Sequence, residues 1–171
     1  MAAQKPQQKG FFLRAREWLR RRRPRFRSRE QIVILPRRAR CFGGRLTLSL
    51  PADFIADSRQ KDLVQLHGEV SGLELTLMQM PFRRRIRTVS ALDLQLAFRR
   101  LGLPHSLPEI QHGFLRHSPT LTAQWNGKEK TVLHLIQVRQ TVYLFCFTKV
   151  TAETEPAVRA VIATAEIDSG Q

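Results

Sequence analysis

The chain has 171 residues, 42% of them apolar, and a formal charge of +15. That length favours a single domain, and the apolar content excludes disorder throughout. No apolar run reaches the roughly 20 residues a membrane-spanning helix needs, and the N-terminus lacks the apolar stretch of a secretory signal.

The charge is uneven. Residues 1–40 hold 14 Lys/Arg against Glu17 and Glu30, a net +12, whereas residues 41–171 carry only +3. The pattern predicts a basic, partly disordered arm over residues 1–30, followed by one α+β domain over 31–171. Concentrated positive charge points to an anionic partner: nucleic acid, an anionic membrane surface or an acidic protein. The alternative is a plain solvated tail. An organelle transit peptide fits the Arg-rich, acid-poor composition but not the scarcity of Ser.

Within the arm, Phe11 or Phe12, Ala15, Trp18 and Leu19 recur at helical spacing, which predicts a short basic helix over 11–22. Arg14, Arg16, Arg20, Arg21 and Arg22 lie among them. Arg23, Arg25 and Arg27 extend the run past Pro24, which ends the helix. Phe11, Phe12 and Trp18 are the candidates for insertion among lipid headgroups or stacking on bases. They are equally candidates for folding back onto the sheet.

Ile32-Val33-Ile34-Leu35 reads as a first strand, stopped by Pro36. Leu46 to Leu50 alternates apolar and polar residues, as a half-buried strand does. Pro51 ends it, and Ala52-Asp53-Phe54 is expected to be a turn with an apolar anchor. Leu63–Val70 and Leu73–Met80 read as two strands around Ser71-Gly72. A second cationic cluster follows: Arg83, Arg84, Arg85 and Arg87 sit on a loop between Pro81 and Ser90.

Residues 90–101 are ambiguous, because Leu92, Leu94, Leu96 and Phe98 alternate like a strand. Ser90 as N-cap, Asp93 three residues on, helix-forming composition and Gly102 beyond the end decide for a helix. Residues 104–119, with Pro104, Pro108, Gly113 and Pro119, read as irregular or a weak edge strand. Thr120–Trp125 and Glu129–Val138 flank Asn126-Gly127, which predicts a tight hairpin. Arg139-Gln140 turns into Thr141–Val150, a strand apolar on both sides and so expected at the centre of the sheet. Pro156–Ile167 reads as a closing helix with Thr154 or Glu155 at its cap and Val158, Val161, Ile162 and Ala165 inward. Strands in meander order with two helices imply an antiparallel sheet with helices layered on it.

Chemistry is sparse. There is no G-x-S-x-G elbow, no P-loop and no G-x-G-x-x-G turn. Cys41 and Cys146 lie far apart without metal or disulfide spacing, and Cys146 reads as a small buried hydrophobe. His105, His112 and His117 cluster loosely around Glu109, without the regular spacing of a zinc site. His134, on a central strand, reads as a hydrogen-bonded core residue. No catalytic, cofactor or metal residues are assigned. A deep polar pocket in which His112, His117 and a carboxylate converge would promote an enzyme reading.

Residues 42–168 resemble the Mog1/PsbP-like superfamily, which includes the DcrB-like bacterial proteins. The resemblance lies in Leu46-Thr47-Leu48-Ser49-Leu50-Pro51-Ala52-Asp53-Phe54, the Asn126-Gly127 hairpin, the aromatic strand through Tyr143-Leu144-Phe145-Cys146-Phe147-Thr148, and the closing helix. Phe54 stands where the family usually has Trp, and Glu166-Ile167-Asp168 replaces a Ser-aromatic helix ending. The resemblance implies an α/β/α sandwich and binding rather than catalysis, in an adaptor, assembly factor or chaperone-like protein. Residues and resemblance together predict a non-enzymatic adaptor, without cofactor, that binds a protein partner. Its arm would hold an anionic surface, in the cytoplasm or peripheral to a membrane. A nucleic-acid-binding protein using the arm and residues 83–87 is the first alternative, and a small enzyme with an unrecognised pocket the second.

Overall fold

A computed structural model describes residues 33–169. Backbone contacts divide the chain into residues 1–32 and 33–171. The predicted arm, with its helix over 11–22, lies outside the described residues.

Ten strands and two α-helices are described: β1 (Arg37–Cys41), β2 (Leu46–Leu50), β3 (Phe54–Arg59), β4 (Leu63–Gly68), β5 (Glu74–Pro81), α1 (Ala91–Phe98), β6 (Glu109–Leu115), β7 (Ser118–Trp125), β8 (Lys130–Val138), β9 (Thr141–Val150), α2 (Glu155–Ala163) and β10 (Glu166–Ile167). Seven strands form the main sheet in the order β3-β4-β5-β9-β8-β7-β6, and β1-β2-β10 form a second, three-stranded sheet. All pairings are antiparallel. The expected α+β sandwich is therefore present, with a small extra sheet in one outer layer.

The middle position of β9 follows from its composition. Tyr143, Phe145 and Phe147 enter one core, shared with Leu46, Leu48 and Leu50 of β2 and with Val158, Val161 and Ala165 from the α2 region. Val142, Leu144 and Cys146 enter the other, shared with Ile86, Val89, Leu94 and Phe98. Full burial of one such Leu or Phe contributes about 1.5–3 kcal/mol, so a strand apolar on both faces is stable only between two covering layers.

Several expectations are corrected. Residues 33–36 are not a strand, and Ile34 is exposed; β1 begins after Pro36 instead. The backbone N–H missing from Pro36 cannot join the β1–β2 ladder, so pairing starts at Arg37↔Leu50. Ala52-Asp53 is a turn, but Phe54 also opens the unforeseen strand β3. A Cβ on Gly68, opposite Phe54, would lie 2.7 Å from Asp53 Oδ2, the oxygen that accepts from Ser71 N–H.

The β7–β8 hairpin forms, but its turn is not tight. Trp125 pairs with Thr131, and neither Asn126 nor Gly127 takes a positive φ. A longer loop does not require those angles. The tight turn is Arg139-Gln140, joining Val138↔Thr141, with Arg139 at φ 55. The closing helix stops at Ala163, and Glu166–Ile167 pairs as β10 with Thr47 and Leu46. Thr164 stands at the helix end, its N–H donating to Ala160 O and its hydroxyl accepting from Ser49 N–H of β2, while Glu166 is held by Arg38 and Arg116.

Candidate anionic-surface site

Of the sequence-predicted site residues, Arg14, Arg16, Arg20, Arg21, Arg22, Arg23, Arg25 and Arg27, with Phe11, Phe12 and Trp18, lie outside the described residues. Arg83, Arg84, Arg85 and Arg87 are described, and all four are exposed on the loop between β5 and α1. Arg37, Arg38 and Arg40, part of the basic N-terminal count, belong to β1 and the folded unit.

The cationic loop is built onto the second core. Ile86, in the middle of the arginines, is fully buried there. Gln137 on β8 ties the loop backbone: its Oε1 accepts from Ile86 N–H at 3.0 Å, and its Nε2 donates to Arg84 O at 2.8 Å and to Phe82 O at 3.4 Å. Phe82 N–H donates to Gln140 O at 2.7 Å. Buried anchor and amide clamp hold the backbone, so the arginine stems project from a fixed base.

The loop is also joined to the start of α1. Ser90 Oγ accepts from Asp93 N–H, and the Asp93 carboxylate accepts from Ser90 N–H, completing the expected capping box. These bonds, together with Arg84 3.2 Å away, hold the Asp93 carboxyl down at about 2. Arg87 lies over the ring of the exposed Phe114 on β6, 4.3 Å from its centre, a cation–π contact worth about 0.5–1 kcal/mol at an exposed position.

The charge of this region exceeds what the loop alone suggests. Residues 82–108 contain six arginines and a single acid, Asp93, a net +5, against +3 for the whole of 41–171. Arg99 and Arg100 directly follow α1, and both are exposed. Among the described residues, Arg83, Arg85, Arg99 and Arg100 enter none of the ion pairs. Arg99 and Arg100 escaped the sequence reading because they look like a helix end; a charge count over this window would have shown them.

The thiols and the histidines singled out in the sequence do not converge, whereas His67 pairs with Asp57 at 2.7 Å beside Glu74. Both thiols are buried and unbridged. Burial raises the Cys41 thiol above its usual range and pushes that of Cys146 up to about 12, so neither is a ready nucleophile. His105, His112 and His117 are exposed on three different segments. Among the described residues, no group of three or more His, Cys, Asp or Glu is placed to hold a metal. No described helix is long and apolar enough to cross a membrane.

The seven-stranded antiparallel sheet, covered by a helix layer on each face, defines a PsbP-like fold. The solution structure of cyanobacterial PsbP (CyanoP) from Synechocystis sp. PCC 6803 matches 81% of this chain and 96% of its own length, with a TM-score of 0.57 at 10% identity. A crystal structure of a protein from Bacteroides thetaiotaomicron VPI-5482 matches 79% of this chain with a TM-score of 0.51 at 8% identity, and this chain spans about half (49%) of it. At these identities the likeness is one of fold. No family model and no curated protein sequence matches the chain.

Proposed function

We propose that this chain is a non-enzymatic adaptor or binding protein that attaches to an anionic surface through its arginine loop and basic arm, leaving the rest of the sandwich for a protein partner. The observation that carries this reading is the fixed display of cations. Arg83 and Arg85 project from a backbone pinned by Ile86 and Gln137, with Arg99 and Arg100 on the adjoining turn. Cations held this way attract a polyanion at little conformational cost. The arm, from Arg14 to Arg27, adds further charge, and Phe11, Phe12 and Trp18 add apolar contacts. A cytoplasmic or membrane-peripheral location suits this function.

A nucleic-acid partner is the second reading, favoured by Arg87 stacked on exposed Phe114, which places an aromatic face among the cations. Sedimentation of the full chain with anionic vesicles and with duplex DNA, across a salt series, tests both. Deletion of residues 1–30 and the pair Arg83→Gln/Arg85→Gln are each expected to weaken association, by about fivefold per arginine lost near a charged surface. Unchanged association in both variants would overturn the attachment.

A further inference from the structure

Leu92 and Leu96 of α1 are 59% and 65% exposed, and Leu107 is 66% exposed. The helix buries Leu94 and Phe98 instead. At about 100° per residue, Leu92 and Leu96 share a stripe opposite that buried pair, and the exposed Arg99 and Arg100 follow in the 3-10 turn that ends the helix. Leu107 follows a loop held against α1, where Gln95 donates to the carbonyls of Pro104, His105 and Ser106. Trp125 Nε1 also donates to Ser106 O at 2.8 Å, which fixes that loop from below. Three large aliphatic side chains thus stand in solvent on anchored backbone. Arginines flank them at both ends of the helix: Arg83 and Arg85 on the loop that Arg84 ties to Asp93, and Arg99 and Arg100 beyond Phe98.

We propose that α1 and its two flanking loops form a docking face for an anionic lipid bilayer, with Leu92, Leu96 and Leu107 entering the acyl boundary and Arg83, Arg85, Arg99 and Arg100 resting on the headgroups. This rests on the reading that the arginine side of the fold meets an anionic surface, and it names that surface. Charge complementarity selects an anionic partner, and the leucines select its kind. An aliphatic side chain offers a base no π-face and a phosphate no donor, so a nucleic acid leaves all three in water. A bilayer of anionic lipid offers negative charge at its headgroups and hydrocarbon beneath them, a partner for both the cations and the leucines. A protein interface of standard size would bury about 20 residues a side around an apolar core, more than three leucines on one convex helix supply.

The test uses the full chain with phosphatidylcholine vesicles, with and without phosphatidylglycerol, and with duplex DNA. The variants are Leu92→Ser/Leu96→Ser and Arg99→Gln/Arg100→Gln. All four positions are exposed, so melting temperatures should match the parent. The full chain is expected to partition onto the phosphatidylglycerol vesicles alone. The leucine pair should lower that partition by about tenfold and leave DNA affinity unchanged. The arginine pair should lower it by about fivefold per charge. In a separate Leu96→Trp variant, emission should shift to the blue on addition of the anionic vesicles. A leucine pair that binds vesicles like the parent, or a Trp emission that does not move, overturns the bilayer as partner. If the arginine pair still loses binding in that case, the broader anionic-surface reading survives. If no variant changes anything, the docking face falls, and the broader reading is decided by the deletion of residues 1–30 and the Arg83→Gln/Arg85→Gln pair.

Discussion

His134 on β8 is the one buried histidine among the described residues. Its Nδ1 lies 2.7 Å from Thr122 Oγ1, and its ring meets Phe145 edge-on at 6.2 Å between centres. The expectation of a hydrogen-bonded core histidine is met at that nitrogen. Burial removes the water that would solvate a charged imidazolium, and it lowers the pKa from 6.5 to about 4. The unfolded chain therefore binds a proton in a window where the folded chain does not. Stability is complete above pH 6.5 and falls as pH drops towards 4, by roughly 3 kcal/mol across the window. The lowered carboxyls, Asp53, Glu74 and Asp93, act in the same direction but only below their ordinary values near 4. Urea midpoints between pH 7 and 5.5, above the range in which Glu74 titrates, therefore isolate the histidine. The parent should lose stability across that range, and His134→Asn should show a much flatter profile.

At the scale of elements, the loop between β5 and α1 is shaped by a residue on neither. Gln137 satisfies three backbone groups of that loop from β8. Replacing it with Ala leaves Ile86 N–H, Arg84 O and Phe82 O without it, at a cost of about 1–3 kcal/mol. Gln137→Ala should accelerate hydrogen exchange at Ile86 and weaken attachment to anionic vesicles, although no arginine is altered. An Ile86 amide as protected as in the parent would show that the buried side chain alone holds the loop. Gln137 was invisible in the sequence, since a Gln near a strand end carries no signal of what it clamps. The Arg83–Arg87 run was legible because charge repeats locally, and the Ser90 cap because Asp93 stands at the required spacing. Leu92 and Leu96 were misleading for a physical reason: leucines on both sides of α1 imitate strand alternation, and nothing local marks which pair lies outside. Strand β3 was hidden because Ile55 and Ala56 are both exposed on a sheet edge, which erases alternation. Strand β10 was hidden because Ala165, buried as foreseen, also fits a continuing helix.

For the whole molecule, β9 is the shared wall of two cores. It pairs with β5 over Glu74↔Thr148 to Pro81↔Thr141 and with β8 on its other edge. The two hairpin systems, β3-β4-β5 and β6-β7-β8, meet only through it in the main sheet. Neither core can open without exposing a strand whose residues 142–147 are all buried. Such coupling predicts one cooperative transition for the described fold rather than separate melting of its faces. Phe145→Ala cuts into the core shared with β2, at about 3–5 kcal/mol; Leu144→Ala cuts into the core beneath α1, at about 2–5 kcal/mol. Both should shift the same calorimetric peak downward without adding a second. The arginine face rides on the α1 side, so Phe145→Ala, on the far face, should leave that face's share of vesicle attachment intact until that peak and remove it there. Loss of attachment well below the peak would mean that the α1 layer detaches on its own, and that β9 does not bind the two faces into one unit.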